Sequence, residues 1–261
     1  MQFIPNIEYP ENEKPQLVLL ENLFREWHKH FSDPNSKLGD QVANGMVFDG
    51  FYPHYFSQKK RILFIGWEPV DIEGCNYIDL LFQAYRKGKR IGDRHLNQSA
   101  FHYRMIYIAH GILNEMPDWQ AIQSASEIGD TFGEPNGLSF AYMNISKLSN
   151  EVWQANHDSI NTAFQLSTQP RNFIQEEVAI LNPDIVITMC KTKKDKINSL
   201  GSLTPIKSWD EVDSYWLQSG KKRCLLINAW HFSAHKSDIE NFYVPICEAI
   251  RHSEVTGDVK I

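Results

Sequence analysis

Cysteine is scarce in this 261-residue chain, and the four present (Cys75, Cys190, Cys224 and Cys247) form no CxxC pair. That spacing argues against a zinc ribbon and against an iron–sulfur cluster. Three of the four sit in apolar surroundings and read as small core residues, kept reduced as the sparse thiols of cytosolic proteins are. Long hydrophobic runs are also missing: no stretch approaches the roughly 20 apolar residues of a membrane span. The opening residues, MQFIPNIEYPENEK, are acidic and proline-broken, without the basic start and apolar core of a secretion signal. These absences point to a cytoplasmic protein. A surplus of positive charge is lacking too. The formal net charge is −6, which weakens the case for indiscriminate coating of nucleic acid but leaves room for a local basic patch. Neither a metal nor a redox cofactor is implied.

Hydrophobic residues make up 42% of the chain, an ordinary share for a globular protein. Without repeats, low-complexity tracts or a long polar linker, the reading is a single domain over 1–261. It comprises an N-terminal helical and aromatic-loop extension (1–58) and a core (59–261). Residues 15–31 place Leu17, Leu20, Phe24, Trp27 and Phe31 at three- and four-residue spacings, an amphipathic helix entered by Pro15. The aromatic loop 48–56 is expected to pack under that helix. Four short apolar runs read as buried strands: 62–66 (ILFIG), 139–145 (SFAYMNI), 185–190 (IVITMC) and 224–229 (CLLINA). Helical spacing recurs at 76–87, 99–114, 172–181 and 237–251. Near-continuous apolar strands alternating with helices predict an α/β fold: three αβα layers around a central, mostly parallel four-stranded sheet.

Ligands in such sheets bind beyond the carboxyl ends of the strands. Those ends carry WEPVD after the first run, SKLSN after the second, KTKKDK after the third and WHFSAH after the fourth. One edge thus gathers Glu68, Asn144, a lysine cluster and His231. An acid, an amide and a histidine beside basic residues suit cleavage of an N-glycosidic bond in nucleic acid. A carboxylate can aim water and stabilise the cation-like sugar, a histidine can donate to the departing base, and an asparagine can read a flipped base.

The motifs resemble those of the uracil-DNA glycosylase superfamily over roughly residues 61–247. Gly66-Trp67-Glu68-Pro69 is similar to its Gly-x-x-Pro motif, His231-Phe232-Ser233 to its His-Pro-Ser, and YMNISKLSN to the segment bearing its base-reading asparagine. ILNPDIVITMC and the lysine-bearing turn after it also resemble the family. The resemblance implies Glu68 as the water-activating residue, His231 as stabiliser of the departing base and Asn144 as its reader. Gly66 and Trp67 would border the base, with Tyr77 or Phe140 stacking on it and Phe132 as a rival. DNA would be held by Lys191, Lys193, Lys194, Ser233, His235, Lys236 and Arg90. Glu replaces the family's Asp or Asn at 68, and Phe232 stands where proline would stiffen the histidine loop. The implied protein is a monomeric, monofunctional glycosylase acting on single- or double-stranded DNA without a cofactor. The alternative is a nucleic-acid-binding protein of the same fold with altered catalysis. A nucleotide or sugar-phosphate enzyme ranks third, because no Gly-rich phosphate loop is present.

The same residues have plainer readings. Glu68 suits the N-terminus of a following helix, His231 can pack on Trp230, and Asn144 can end its strand as a turn former. The lysines can be a solvated face. The KKR triplets at 59–61 and 221–223 precede strands and belong to the opposite edge.

Overall fold

The four apolar runs become four adjacent parallel strands. The computed structural model describes residues 2–36, 38–149, 157–220 and 222–256. Its strands are β1 (Gly50–Phe51), β2 (Ile62–Gly66), β3 (Arg90–Ile91), β4 (Arg94–His95), β5 (Ala141–Asn144), β6 (Ile185–Thr188), β7 (Ser202–Ser208), β8 (Val212–Ser219) and β9 (Lys222–Ala229). Its helices are α1 (Lys14–Phe31), α2 (Gly39–Asn44), α3 (Tyr77–Gln83), α4 (Ala100–Leu113), α5 (Ala125–Ile128), α6 (His157–Thr168), α7 (Phe173–Leu181), α8 (Lys194–Ile197) and α9 (Val244–Thr256).

The main sheet has seven strands, not the four expected, in the order β1-β5-β2-β6-β9-β8-β7. The parallel centre is β5-β2-β6-β9, and β1, β8 and β7 extend it antiparallel at the edges. The extra strands carry little of the buried-strand signal. β1 is two residues long, β8 (VDSYWLQS) is interrupted by polar residues, and β7 (SLTPIKS) is largely exposed. Pro205 is tolerated in β7 because an edge strand need not donate outward, and the register shifts beside it.

Every residue of β2 is buried, as expected for a strand covered on both faces. Alternation then sorts the side chains. Ile62 and Phe64 share a core with Ile78 and Leu81 of α3, Met105 and Ile106 of α4, and Ile246 and Ile250 of α9. Leu63 and Ile65 share the opposite core with Phe24 and Trp27 of α1, Ile160 of α6, and Ile174 and Val178 of α7. The aromatic loop packs under α1 as expected, with Phe48 5.4 Å from Phe24 between ring centroids. Tyr52 alone among its large aromatics crosses to the other core. No helix among the described residues is long and apolar enough to cross a membrane.

One charged cluster lies inside the α1 side. Lys147 is fully buried, with its Nζ 2.5 Å from Asp49 Oδ1, 2.7 Å from Glu177 Oε2 and 5.2 Å from the centre of the Trp27 ring. Burial would lower the ammonium pKa, but the two carboxylates outweigh it and raise the value. Burial pushes the Glu177 carboxyl far above the usual carboxylate range, with the Lys147 ammonium pulling against it. The other Asp49 oxygen accepts the backbone N–H of Asn144 at 2.7 Å. This buried cluster therefore anchors the end of β5 where the site begins.

Candidate functional site

The parallel strands follow the chain order 2-1-3-4, so the order reverses at β2 between β5 and β6. In open α/β sheets the crevice at such a reversal is the preferred ligand position. β2 contributes Gly66, Trp67 and Glu68 to this edge, β5 contributes Asn144, β6 leads into Lys191–Lys194, and β9 leads into His231.

Asn144 does not end its strand as a turn former. It pairs in register with Gly66, and the parallel ladder continues through Ile145 N–H to Gly66 O (3.1 Å) and Ser146 N–H to Trp67 O (2.8 Å). Its side chain is buried beside Tyr142, whose hydroxyl donates to Asn144 Oδ1 at 2.8 Å. Asn144 Nδ2 is buried with no partner among the described residues. An unsatisfied buried donor costs about 1–3 kcal/mol, so this atom is a candidate contact for a ligand. A β-carbon built on Gly66 would lie 2.4 Å from the Tyr142 hydroxyl and 2.6 Å from Asn144 Oδ1. The glycine at the end of β2 thus makes room for the Tyr142–Asn144 pair.

An aromatic wall continues from that pair. Tyr77 lies 5.1 Å from Tyr142, Phe101 lies 6.1 Å from Tyr142 and 5.3 Å from His231, all between ring centroids. Phe101, not Trp230, is therefore the ring against His231. Ser233 N–H donates to His231 Nδ1 at 3.3 Å, and the Ser233 hydroxyl meets the same nitrogen at 2.7 Å. A backbone donor at Nδ1 requires a lone pair there, which leaves the neutral ring with its proton on Nε2. Desolvation and the neighbouring Lys193 cation push this imidazole below its ordinary value. His231 is thus neutral at pH 7, with an N–H available to donate. His231 is exposed, and Phe101 beside it is half-buried.

The histidine loop does not need the missing proline. Phe232 is buried against Phe64 and Phe242, and its carbonyl accepts from Arg104 Nη1 at 2.6 Å. The same guanidinium donates to Ala234 O (2.9 Å), Lys236 O (2.9 Å) and Asp238 Oδ1 (2.6 Å), and lies 4.2 Å over the Phe242 ring. Arg104 is 3% exposed, so these charge-assisted bonds hold the loop from inside the protein.

Glu68 is not at a helix start; the following helix α3 is capped by Asn76, which accepts from Ile78 N–H at 3.0 Å. Its Oε2 lies 3.9 Å from Lys193 Nζ, and that ammonium sits 4.2 Å over Trp67. Burial lowers the Lys193 pKa despite the nearby carboxylate. Through Lys193, the acid and the histidine share one electrostatic neighbourhood.

Several proposed contacts fall elsewhere. Phe140 is wholly buried, edge-to-face with Tyr52, Phe64 and Phe132, and cannot stack on a base from the core; the same holds for Phe132. Trp67 packs with Phe164 in the α1-side core, across the sheet from Tyr77 and Tyr142. Lys194 is paired with Asp213 at 2.7 Å, and Lys191 donates to Trp209 O at 3.1 Å with Asp213 3.9 Å away. Burial would raise the Asp213 carboxyl, yet Lys194, Ser208 and Lys191 hold it below its usual range. Two of the three lysines therefore share the one Asp213 carboxylate. Lys236 reaches Glu211 at 3.5 Å. Ser233 and His235 are exposed on the loop, while Arg90 is exposed on the β3–β4 hairpin and bonds the Asp93 carbonyl. A groove of about 600 Å³ adjoins the loop, lined in part by Arg94, Phe101, Tyr103, His235 and Lys236.

Residues 59–61 lie at the amino ends of the strands, where Arg61 and Lys222 both bind Asp184 (3.0 and 2.6 Å). Lys221 of the second triplet and Asn150 of SKLSN are outside the described residues. A second groove, of about 450 Å³ and lined by Gln58, Lys59, His110, Asn114 and Asn136, opens at that amino end, away from the carboxyl edge. Cys190, Cys224 and Cys247 are buried, with thiols pushed up to about 12, 12 and 11 by burial, and Cys75 is half-buried and free. No group of three or more His, Cys, Asp or Glu among the described residues could hold a metal ion.

Phe101, Tyr142 and Arg104 are site residues that sequence reasoning missed. Tyr142 had a signal: two residues before Asn144 in a strand, it must share that face. Phe101 and Arg104 sit on α4 and meet the edge only through helix packing. Comparison with protein-family models and with curated protein sequences found no match.

Proposed function

We propose that the chain is a monofunctional DNA glycosylase of the uracil-DNA glycosylase type, hydrolysing the N-glycosidic bond of a flipped base. The observation that carries this reading is the convergence on one aromatic wall of Asn144 Nδ2, without a partner among the described residues, and the Nε2–H tautomer of His231. Asn144 and His231 would contact the base, Tyr77 or Phe101 would stack on it, and Glu68 would orient water at the anomeric carbon. As the C–N bond breaks, the base leaves with the electron pair and His231 Nε2–H stabilises the anion. Water adds to the sugar carbon and gives its proton to Glu68. Lys193, 3.9 Å from Glu68, would contact a flanking phosphate. A neutral donor suits this role, because it stabilises developing charge without first losing a proton.

A second reading, a binding protein of this fold that releases no base, is favoured by the engagement of Glu68 with Lys193 at 3.9 Å, which occupies the acid that would orient water. Base release from end-labelled oligonucleotides, revealed by hot alkali, separates the two. Release that falls at least about 100-fold in Glu68→Gln and in His231→Ala supports the glycosylase. Salt-sensitive binding with no release from uracil, hypoxanthine or modified-cytosine substrates supports the binding protein. Strand cleavage without alkali would contradict the monofunctional assignment.

A further inference from the structure

The Tyr142–Asn144 pair narrows which base edge the site accepts. Asn144 Oδ1 takes the Tyr142 hydroxyl at 2.8 Å and faces Gly66, whose β-carbon position lies only 2.6 Å away. One lone pair is used and the approach to the other is walled by backbone. Nδ2 of the same amide is buried with no partner among the described residues. Turning the amide over would leave the hydrogen of the Tyr142 hydroxyl, itself buried, without this acceptor. His231, with Ser233 N–H donating into Nδ1, also presents an N–H.

We propose that Asn144 is a donor-only reader. The site then takes a base whose edge shows a carbonyl beside an unprotonated ring nitrogen, in preference to uracil. This rests on the glycosylase reading above. Uracil alternates carbonyl, N–H and carbonyl, and its N–H would meet a donor with no acceptor in reach. An N–H left unsatisfied in this way is what makes hydrogen-bonding sites selective. Two kinds of base have the accepting edge: cytosine-type bases through O2 and N3, and 6-oxopurines through O6 and N7.

Single-turnover release from oligonucleotides carrying uracil, 5-methylcytosine, hypoxanthine or 7-deazahypoxanthine tests this with wild type, Tyr142→Phe and Asn144→Asp. Comparing each variant with wild type on the same base cancels the intrinsic reactivity of the leaving group. Tyr142→Phe frees Oδ1 as an acceptor and should raise uracil release relative to the accepting-edge bases by at least about tenfold. Asn144→Asp removes the donor and should suppress release of the accepting-edge bases. Wild type alone gives a further arm that needs no variant to fold and is independent of leaving-group reactivity: an oligonucleotide carrying 7-deazahypoxanthine, lacking the N7 acceptor, should bind at least about tenfold more weakly than one carrying hypoxanthine if the 6-oxopurine is the substrate. Preferred release of 5-methylcytosine over uracil would instead assign the cytosine type. A wild type that releases uracil but neither accepting-edge base, or a Tyr142→Phe ratio equal to wild type, overturns the inference while leaving the glycosylase. Release of no base by wild type overturns both.

Discussion

Replacing Gly66 by alanine asks what the glycine at the end of β2 is for. The added methyl would sit 2.4 Å from the Tyr142 hydroxyl and 2.6 Å from Asn144 Oδ1, inside any real contact distance. Tyr142 is 2% exposed and wedged beside Tyr77 and Phe101, so the ring has no open space to retreat into. Overpacking of this kind costs about 1–3 kcal/mol. Separating the phenol from the amide removes a buried hydrogen bond worth about 0.5–1.5 kcal/mol. Gly66→Ala should therefore lower unfolding free energy by about 2–4 kcal/mol in urea titrations. Adding Tyr142→Phe deletes the nearest clashing atom, leaving Asn144 Oδ1 as the remaining close contact. The double variant should recover part of the loss, giving a coupling of at least about 1 kcal/mol in a double-mutant cycle. A stability change under about 0.5 kcal/mol, or strictly additive effects, would refute the reasoning. If that neutral variant nevertheless failed to release base, the glycine would serve the approach of a ligand and not the Tyr142–Asn144 pair.

Arg104→Met should loosen the 232–238 loop, because three backbone carbonyls and Asp238 lose their donor together. The expected signs are a loss of about 3–5 kcal/mol and faster amide exchange confined first to that loop; unchanged exchange there would contradict the clamp. Acidification should destabilise the fold through His102, whose ring is buried with Nδ1 2.8 Å from the Tyr85 hydroxyl and whose pKa burial lowers to about 3. The folded state resists protonation that the unfolded chain accepts from its ordinary value downward. Stability is therefore full above about pH 6.5 and falls toward pH 3, by at most about 4–5 kcal/mol. His102→Gln should flatten that part of the pH–stability curve; an unchanged slope would assign the loss to other groups.

The parallel centre of the fold was legible because strands covered on both faces must be apolar at nearly every position, as ILFIG and IVITMC are. The same rule hid β7 and β8, whose polar residues face solvent or ion pairs at the sheet's edge. Glu68, Asn144 and His231 could be named from sequence because each follows an apolar run, and the carboxyl ends of parallel strands share one edge by geometry. Phe140 was misplaced for a related reason. It stands just before β5, where only packing shows that its ring enters the core.

Sequence alone determined the alternation of strand and helix, the covered sheet and the edge on which polar residues collect, since all of these follow from local periodicity and burial. Only the tertiary structure decided how those polar residues are used. It set Asp213 against Lys191 and Lys194, spent Arg104 on the histidine loop, and gave the Asn144 carbonyl oxygen to Tyr142 while leaving the amide nitrogen without a partner among the described residues. Hydrogen bonds and ion pairs act over a few ångströms between residues even 132 positions apart in the chain, as Arg104 and Lys236 are, and no periodicity in the chain encodes which partner each group will meet.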